Sequence, residues 1–473
     1  MNSPIIWIIL PSLAALILYL LRRRERLVHT SGIILVLGLA LLAWLLPINE
    51  PVSLGLPGSA SFKIGASMIF FGRQFTLDET TRPLVILIYL GVGLWFGGGY
   101  AARVDRLFIP LGVAIAALLT AALAVQPILY AVLIIQIVAI VSIPLLAPPG
   151  KPIAHGVIRF ISFQTMGVCF ILFANWLLGV VQTDPEKANL TLLTTLLFGL
   201  GVALLAGIFP FHTWVPMLAE EAPPYATAFV FFVIPTAVSF VGLDYLNQLV
   251  DITDLRLLSN ALRWSGILMV VISGLWAAFE RHLGRIFGFA ILTQIGMALL
   301  AVSLGFSDQP GSPGLRIFFA QLLPQGIGIA VWALALSILR DHLQGVDPLY
   351  RQVQGLAHRL PVTAGCLLLA IFSLAGLPLL ANFPGNVALW SALIDESLSA
   401  AILSLFGCAM LFAAGLRTMA VLFTGLDEPS WKINEPAAPA MLMILGAAML
   451  LILGLFPQWF IPMMSSLGQG FSP

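Results

Sequence analysis

Charge is what this chain has least of. Of its 473 residues only 9% are Asp, Glu, Lys or Arg, whereas 60% are hydrophobic. So few polar side chains cannot coat a water-facing surface, which excludes a soluble globule and leaves a polytopic membrane protein. The formal net charge is +1, too small to draw in nucleic acid or a strongly anionic lipid surface, so no nucleic-acid partner is expected. Cysteine is scarce as well. Cys169, Cys366 and Cys408 all fall inside apolar runs and read as small core residues, with no disulfide framework and no spacing suited to zinc or an iron–sulfur cluster. A glycine-rich phosphate loop, a nucleophile–base signature and a helical HExxH are all missing, so no cofactor, metal or catalytic constellation is expected in the chain itself.

What is present is a succession of apolar stretches, each long enough to cross ~30 Å of hydrocarbon. They lie near residues 3–21, 31–47, 82–101, 107–126, 128–147, 156–181, 190–209, 225–248, 262–279, 285–305, 315–339, 361–381, 397–423 and 436–457. The fold class expected is all-α, with about 14 transmembrane helices by the length rule. The first stretch is followed, not preceded, by the charged run Arg22-Arg23-Arg24-Glu25-Arg26, the reverse of a signal peptide, and reads as a first span. Alternation from a cytoplasmic first loop puts 15 of the 22 Lys and Arg inside, Lys151 and Lys432 among them, and Lys187 outside, so both termini are expected to be extracytoplasmic. Between spans, residues 48–81 alternate in a way that predicts an outer hairpin, and residues 340–360 read as a short amphipathic segment.

Two places interrupt the hydrocarbon. GIFPFHTWVPMLAEEAPP, residues 207–224, carries Pro210 and Pro216 with His212, Glu220 and Glu221 close by. GLPLLANFPGN, residues 376–386, carries Pro378 and Pro384 with Asn382 and Asn386. Proline removes a donor and interrupts a helix, and a bilayer accepts irregular backbone only where protein or a wet cavity surrounds it. Two such spans in corresponding halves point to a transporter built from repeats. His212 is either a proton-transfer group or a structural histidine bonding freed carbonyls. Glu220 and Glu221 are read as pathway carboxylates or as interfacial ion-pair partners. Gln136, Gln164, Gln294, Gln321 and Gln325 are read as interhelical hydrogen-bonding groups or a wet polar seam.

PFHTWVP followed by EEAP resembles the signature of the antiporter-like, proton-translocating membrane subunits of respiratory complex I (NADH:quinone oxidoreductase) and its relatives. The later run GLAHRLPVTAGCLLLAIFSLAGLPLLANFPGN is similar to the family's second broken-helix region, and GLRTMAVLFTG to the arginine-bearing helix after it. The likeness covers roughly residues 80–430 and is M- or N-type, with HTW and EEAP looking more M-like. It implies fourteen helices in two inverted five-helix repeats with two discontinuous helices. In these terms the chain is one membrane domain, 1–473, with N-terminal helices 1–106, a first repeat 107–249, a second repeat 262–423 and a final helix 436–457. It also implies a bacterial cytoplasmic membrane, partner membrane subunits of a redox complex, a quinone held in a neighbouring subunit, and no redox chemistry in this chain.

The resemblance carries a departure. Where the family places buried ionisable relay residues, this chain has Gln136, Leu205 or Ala206, Pro235 or Thr236, Pro324 with Gly328, and Asn386. None of these can take up and release a proton near neutral pH. The remaining pathway candidates are His212, Glu220, Glu221, Gln136 and Arg285. The expected function is therefore an antiporter-like membrane-arm subunit with an impaired or lost relay, partly structural. The alternative is a transport subunit of a hydrogenase-, cation/proton-antiporter- or inorganic-carbon-uptake-type complex.

Overall fold

A computed structural model describes residues 2–52, 62–70, 72–127, 129–148, 150, 152–183, 189–250, 255–306, 313–424, 433 and 435–467. Lys151, Lys187 and Lys432 lie outside the described residues. The described residues form eighteen helices, one in each of the fourteen apolar stretches and four between or after them. In chain order they are α1 (Ile5–Leu20), α2 (Glu25–Leu45), α3 (Arg82–Gly99), α4 (Phe108–Ala124), α5 (Leu129–Leu146), α6 (His155–Thr183), α7 (Asn189–Ala206), α8 (Trp214–Glu221), α9 (Pro224–Val250), α10 (Leu255–Phe279), α11 (Leu283–Gly305), α12 (Gly314–His342), α13 (Tyr350–Val353), α14 (Pro361–Leu374), α15 (Phe383–Glu396), α16 (Leu398–Phe423), α17 (Ala437–Leu455) and α18 (Ile461–Ser466). Among the described residues, 11 helical segments are long and apolar enough to cross a membrane unaided, with α1 and α4 shorter.

Several helices outrun their apolar stretches. α2 begins at Glu25 and not near residue 31, because Thr30 and Ser31 turn their hydroxyls back onto the carbonyls of Arg26 and Leu27 and so keep polar residues helical. α12 runs on to His342, taking in part of the segment expected to be separate; the rest is the short α13 and a 3₁₀ turn at Leu356–His358. The expected outer hairpin is present as β3 (Ser67–Phe70) against β4 (Arg73–Thr76), extended by Val125–Gln126 after α4, with a second two-strand pair at Pro51–Val52 and Phe62–Lys63.

α11 and α12 form the centre of the bundle. In α12, 89% of the apolar window is buried, against 17% in α17, which therefore runs along the rim. The aromatic core there includes Phe287 edge-on to Trp332 at 5.3 Å. On the flank, α10 packs on α16 with backbones almost touching. A Cβ on Gly274 would fall 2.2 Å from the carbonyl oxygen of Gly407, the small-residue contact that lets membrane helices associate without a hydrophobic drive between them.

Candidate functional site: two broken helices and a neutral seam

Both interruptions have the same construction. α7 ends at the triplet Leu205-Ala206-Gly207, and α14 ends at Leu374-Ala375-Gly376. Each glycine has a positive φ, +69° at Gly207 and +82° at Gly376, a conformation that costs a side-chain-bearing residue roughly 1–2 kcal/mol. The next amide folds back five residues, from Ile208 to the carbonyl of Ala203 at 2.8 Å and from Leu377 to that of Phe372 at 2.9 Å. This is the Schellman closure of a helix C-terminus. Pro210 and Pro378 lie inside the breaks. Pro384 does not interrupt a helix: it occupies the first turn of α15, where the missing N–H would have had no partner. Pro216 is the third residue of α8, which runs on through it to Glu221.

A helix that ends inside a bilayer leaves carbonyls to satisfy. Gln164 on α6 donates from Nε2 to the carbonyl of Leu205 at 2.9 Å, and Gln294 on α11 does the same to Leu374 at 2.9 Å. Around the second break the amides continue. Asn382 Nδ2 donates to Gln294 Oε1 at 3.3 Å, Ser373 Oγ to Asn382 Oδ1 at 3.4 Å, and Gln321 Nε2 to Asn386 Oδ1 at 3.2 Å. All these side chains are buried. The seam is built of neutral amides and hydroxyls, and among the described residues His282 is the only acidic or basic side chain in the fully buried class.

The pathway candidates fall in separate places. His212 sits in the 3₁₀ turn at Phe211–Thr213, half-buried, stacked on Phe209 at 5.6 Å, with Nδ1 buried and unbonded. α8 then separates it from the two glutamates by roughly 12 Å of helix. Glu220 pairs with Arg285 at the start of α11 at 2.5 Å, and Arg285 also approaches Glu280 at 3.7 Å. Glu221 takes a different partner, the amide of Gly156 at 2.6 Å, tying α8 to the start of α6. Gln136 donates to Thr165 Oγ1 at 2.9 Å, so it reaches across to α6 but away from the Gln164 bond. The cluster expected from proximity in sequence is thus a histidine at one end of α8 and a set of interhelical ties at the other.

His282 caps α11. Its Nδ1 accepts from the amides of Gly284 and Arg285 at 3.1 and 3.3 Å, which requires a neutral ring. Burial pushes its pKa below the ordinary histidine value; Arg285 adds to that, while Glu220, Asp347 and Glu280 pull the other way. Two pairings carried no sequence signal because their partners are far apart in the chain. Arg263 on α10 forms an ion pair with Glu396 at the end of α15, the side chains 15% and 10% exposed. Arg417 donates to the carbonyl of Ala278 and lies over the Tyr350 ring.

A family model described as NADH:quinone oxidoreductase/Mrp antiporter, TM, matches residues 157–413, more than half of the chain and including both breaks. The chain belongs to this family. Curated relatives include NADH-quinone oxidoreductase subunit N of Rhodopseudomonas palustris, 26% identical over 373 residues (76% of this chain, 72% of the relative). The same subunit of Polaromonas naphthalenivorans is 28% identical over 325 residues (65% and 63%). That of Bdellovibrio bacteriovorus is 26% identical over 244 residues (51% and 48%), so the chain spans about half the length of that relative. These carry the N designation, where HTW and EEAP had leaned towards M. Among solved structures, a chain of the archaeal membrane-bound sulfane sulfur reductase superposes with TM-score 0.82 at 19% identity (100% of this chain, 98% of that one). A chain of the Mrp complex from Dietzia sp. DQ12-45-1b gives 0.79 at 19% (99% and 97%), and one of respiratory complex I from Thermus thermophilus 0.71 at 20% (99% and 99%). These similarities establish an antiporter-like polytopic membrane fold.

Proposed function

We propose that this chain is an antiporter-like membrane-arm subunit of a complex I-type assembly, and that it keeps the family's architecture while its own proton relay is impaired or lost. The observation that carries the reading is the chemistry at the breaks. Both open helix ends are satisfied by glutamine, and the seam joining α11, α12, α14 and α15 holds only neutral amides and hydroxyls. A proton hop needs groups that can change charge, and this seam supplies none. The chain crosses a bacterial cytoplasmic membrane fourteen times, α7 with α8 and α14 with α15 each making one discontinuous span. α4 to α9 and α10 to α16 form two inverted five-helix repeats, with both termini extracytoplasmic. Its partners are the other membrane subunits of a redox complex, with any quinone held in a neighbour. The Glu220–Arg285 pair ties the first repeat to the second where α8 meets α11, and Glu221 ties α8 to α6 within the first repeat, a structural use of residues that were candidates for a pathway.

Gentle solubilisation and purification through a tag on this chain should recover further membrane subunits together with NADH-oxidising ones; recovery of the chain by itself counts against the assembly. In inverted vesicles, protons moved per NADH oxidised should be unchanged in His212→Ala combined with Glu220→Gln. A lower stoichiometry at unchanged NADH oxidation would overturn the lost relay.

A further inference from the structure

α7 and α10 scarcely touch, and behind the gap lies a cavity of about 450 Å³ walled by α7, α9, α10, α11 and α12. Leu196, Gly199 and Ala261 line this cavity and are also exposed on the outside of the bundle, so they mark its mouth. Beside the mouth Leu192 and Trp264 are exposed too. On a membrane-spanning bundle that surface meets hydrocarbon, so whatever enters comes from the lipid phase. The volume is that of a pocket for a drug-sized molecule.

Among the described residues the wall contains no Asp, Glu, Lys, Arg, His, Cys or Tyr. A charged headgroup would find no counter-charge there, which is prohibitive in a low dielectric. Two wall hydroxyls are already spent within α9, Thr236 on the carbonyl of Phe232 and Ser239 on that of Pro235. Gln294 is engaged with Leu374 and Asn382. Thr195 is likewise spent on the carbonyl of Thr191. Ser265 and Gln325 remain: Gln325 is 8% exposed, its Nε2 has no partner, and it lines the cavity. A buried donor left unpaired is costly, and an acceptor that reaches it gains what the fold leaves unmet.

We propose that this cavity binds a neutral, carbonyl-bearing lipid that enters between α7 and α10, its oxygen at the Gln325 amide and its apolar body against the walls. The site is independent of whether the chain moves protons. A quinone ring and an acylglycerol ester both present the required oxygen. With no titratable group among the described wall residues, those residues do not protonate a quinone bound here.

The test uses the purified full-length chain, delipidated in detergent, with decylubiquinone and dioleoylglycerol as probes in separate arms. Retention is read by native mass spectrometry and by thermal shift. At least one probe should bind at one per chain. Gln325→Leu should weaken it by up to about tenfold, the size of one neutral hydrogen bond. Gly242→Phe should abolish it; Gly242 lines the cavity with open space where a Cβ would go, so this variant fills the site without clashing with the fold. Gly199→Trp should close the mouth in the same way. Retention of the quinone alone or the glyceride alone assigns the source. Binding of neither probe, or binding unchanged in both Gln325→Leu and Gly242→Phe, overturns the site.

Discussion

Gln164 Nε2 lies 2.9 Å from the carbonyl oxygen of Leu205, and this bond lets α7 end inside the hydrocarbon. Gln294 stands in the same relation to Leu374. Bonds between membrane helices average only about 0.6 kcal/mol, but stripping the donor from a buried carbonyl costs about 1–3 kcal/mol. Gln164→Leu and Gln294→Leu should therefore each lower stability by roughly 1–2 kcal/mol, read as a drop in melting temperature in detergent. Gln294→Leu should be the worse of the two, since Gln294 also accepts from Asn382. Equal and negligible shifts would remove the glutamines from the account of the breaks.

Gly376 holds φ +82°, and a Cβ there would sit 2.6 Å from Asn386 Nδ2. Gly376→Ala should thus combine backbone strain of about 1–2 kcal/mol with displacement of the Asn386 amide. Gly365→Ala, inside α14 where a Cβ meets open space, should be neutral or slightly stabilising by helix propensity. Yield of monodisperse protein after heating, compared across the two variants, separates these outcomes.

Arg263 and Glu396 are a nearly buried pair joining α10 to α15. Removing one partner of such a pair leaves an uncompensated charge and costs about 3–5 kcal/mol. Arg263→Met and Glu396→Gln should each destabilise strongly, and Arg263→Met with Glu396→Leu should recover much of the loss. A double-mutant cycle on thermal unfolding measures the coupling, and simple additivity would show that the two charges act separately.

His282 titrates against the fold. Its folded pKa lies below the ordinary value of about 6.5, so the unfolded chain takes up this proton first as pH falls. The stability it supports is complete above about pH 6.5 and declines as pH drops through the lowered folded value. Thermal stability should fall between about pH 7 and pH 5, and the slope should be shallower in His282→Asn, which keeps a capping side chain without a titrating group. An identical slope in both proteins would assign the dependence elsewhere, with Glu220, Glu280 and Asp347 the neighbouring carboxylates.

Much of the fold is legible in the chain. Apolar runs located the long helices because length and hydrophobicity suffice for a bilayer. The ends were less legible, as at Glu25 and His342, where polar residues remain helical. Pro210 and Pro378 lie inside the breaks, whereas Pro384 begins α15 and Pro216 lies within α8, since proline is as much at home in a first turn as in an interruption. The repeated Leu-Ala-Gly triplet was the sharper signal, because the glycine is what allows the reversal. Gln164 and Gln294 were readable as hydrogen-bonding residues but not as partners of Leu205 and Leu374, 41 and 80 residues away.

The sequence by itself determined that the chain is a membrane helical bundle and that two of its apolar stretches are interrupted. Those conclusions follow from residue type and period, which are local properties. Only the tertiary structure decided that His212 is remote from Glu220 and Glu221, that Arg285 closes on Glu220, and that Arg263 finds Glu396. It also decided that the gap between α7 and α10 opens onto a cavity ending at Gln325. The physical reason is the same in each case: in a bilayer a polar group must find a partner inside the protein, and which partner it finds is fixed by helices crossing in space.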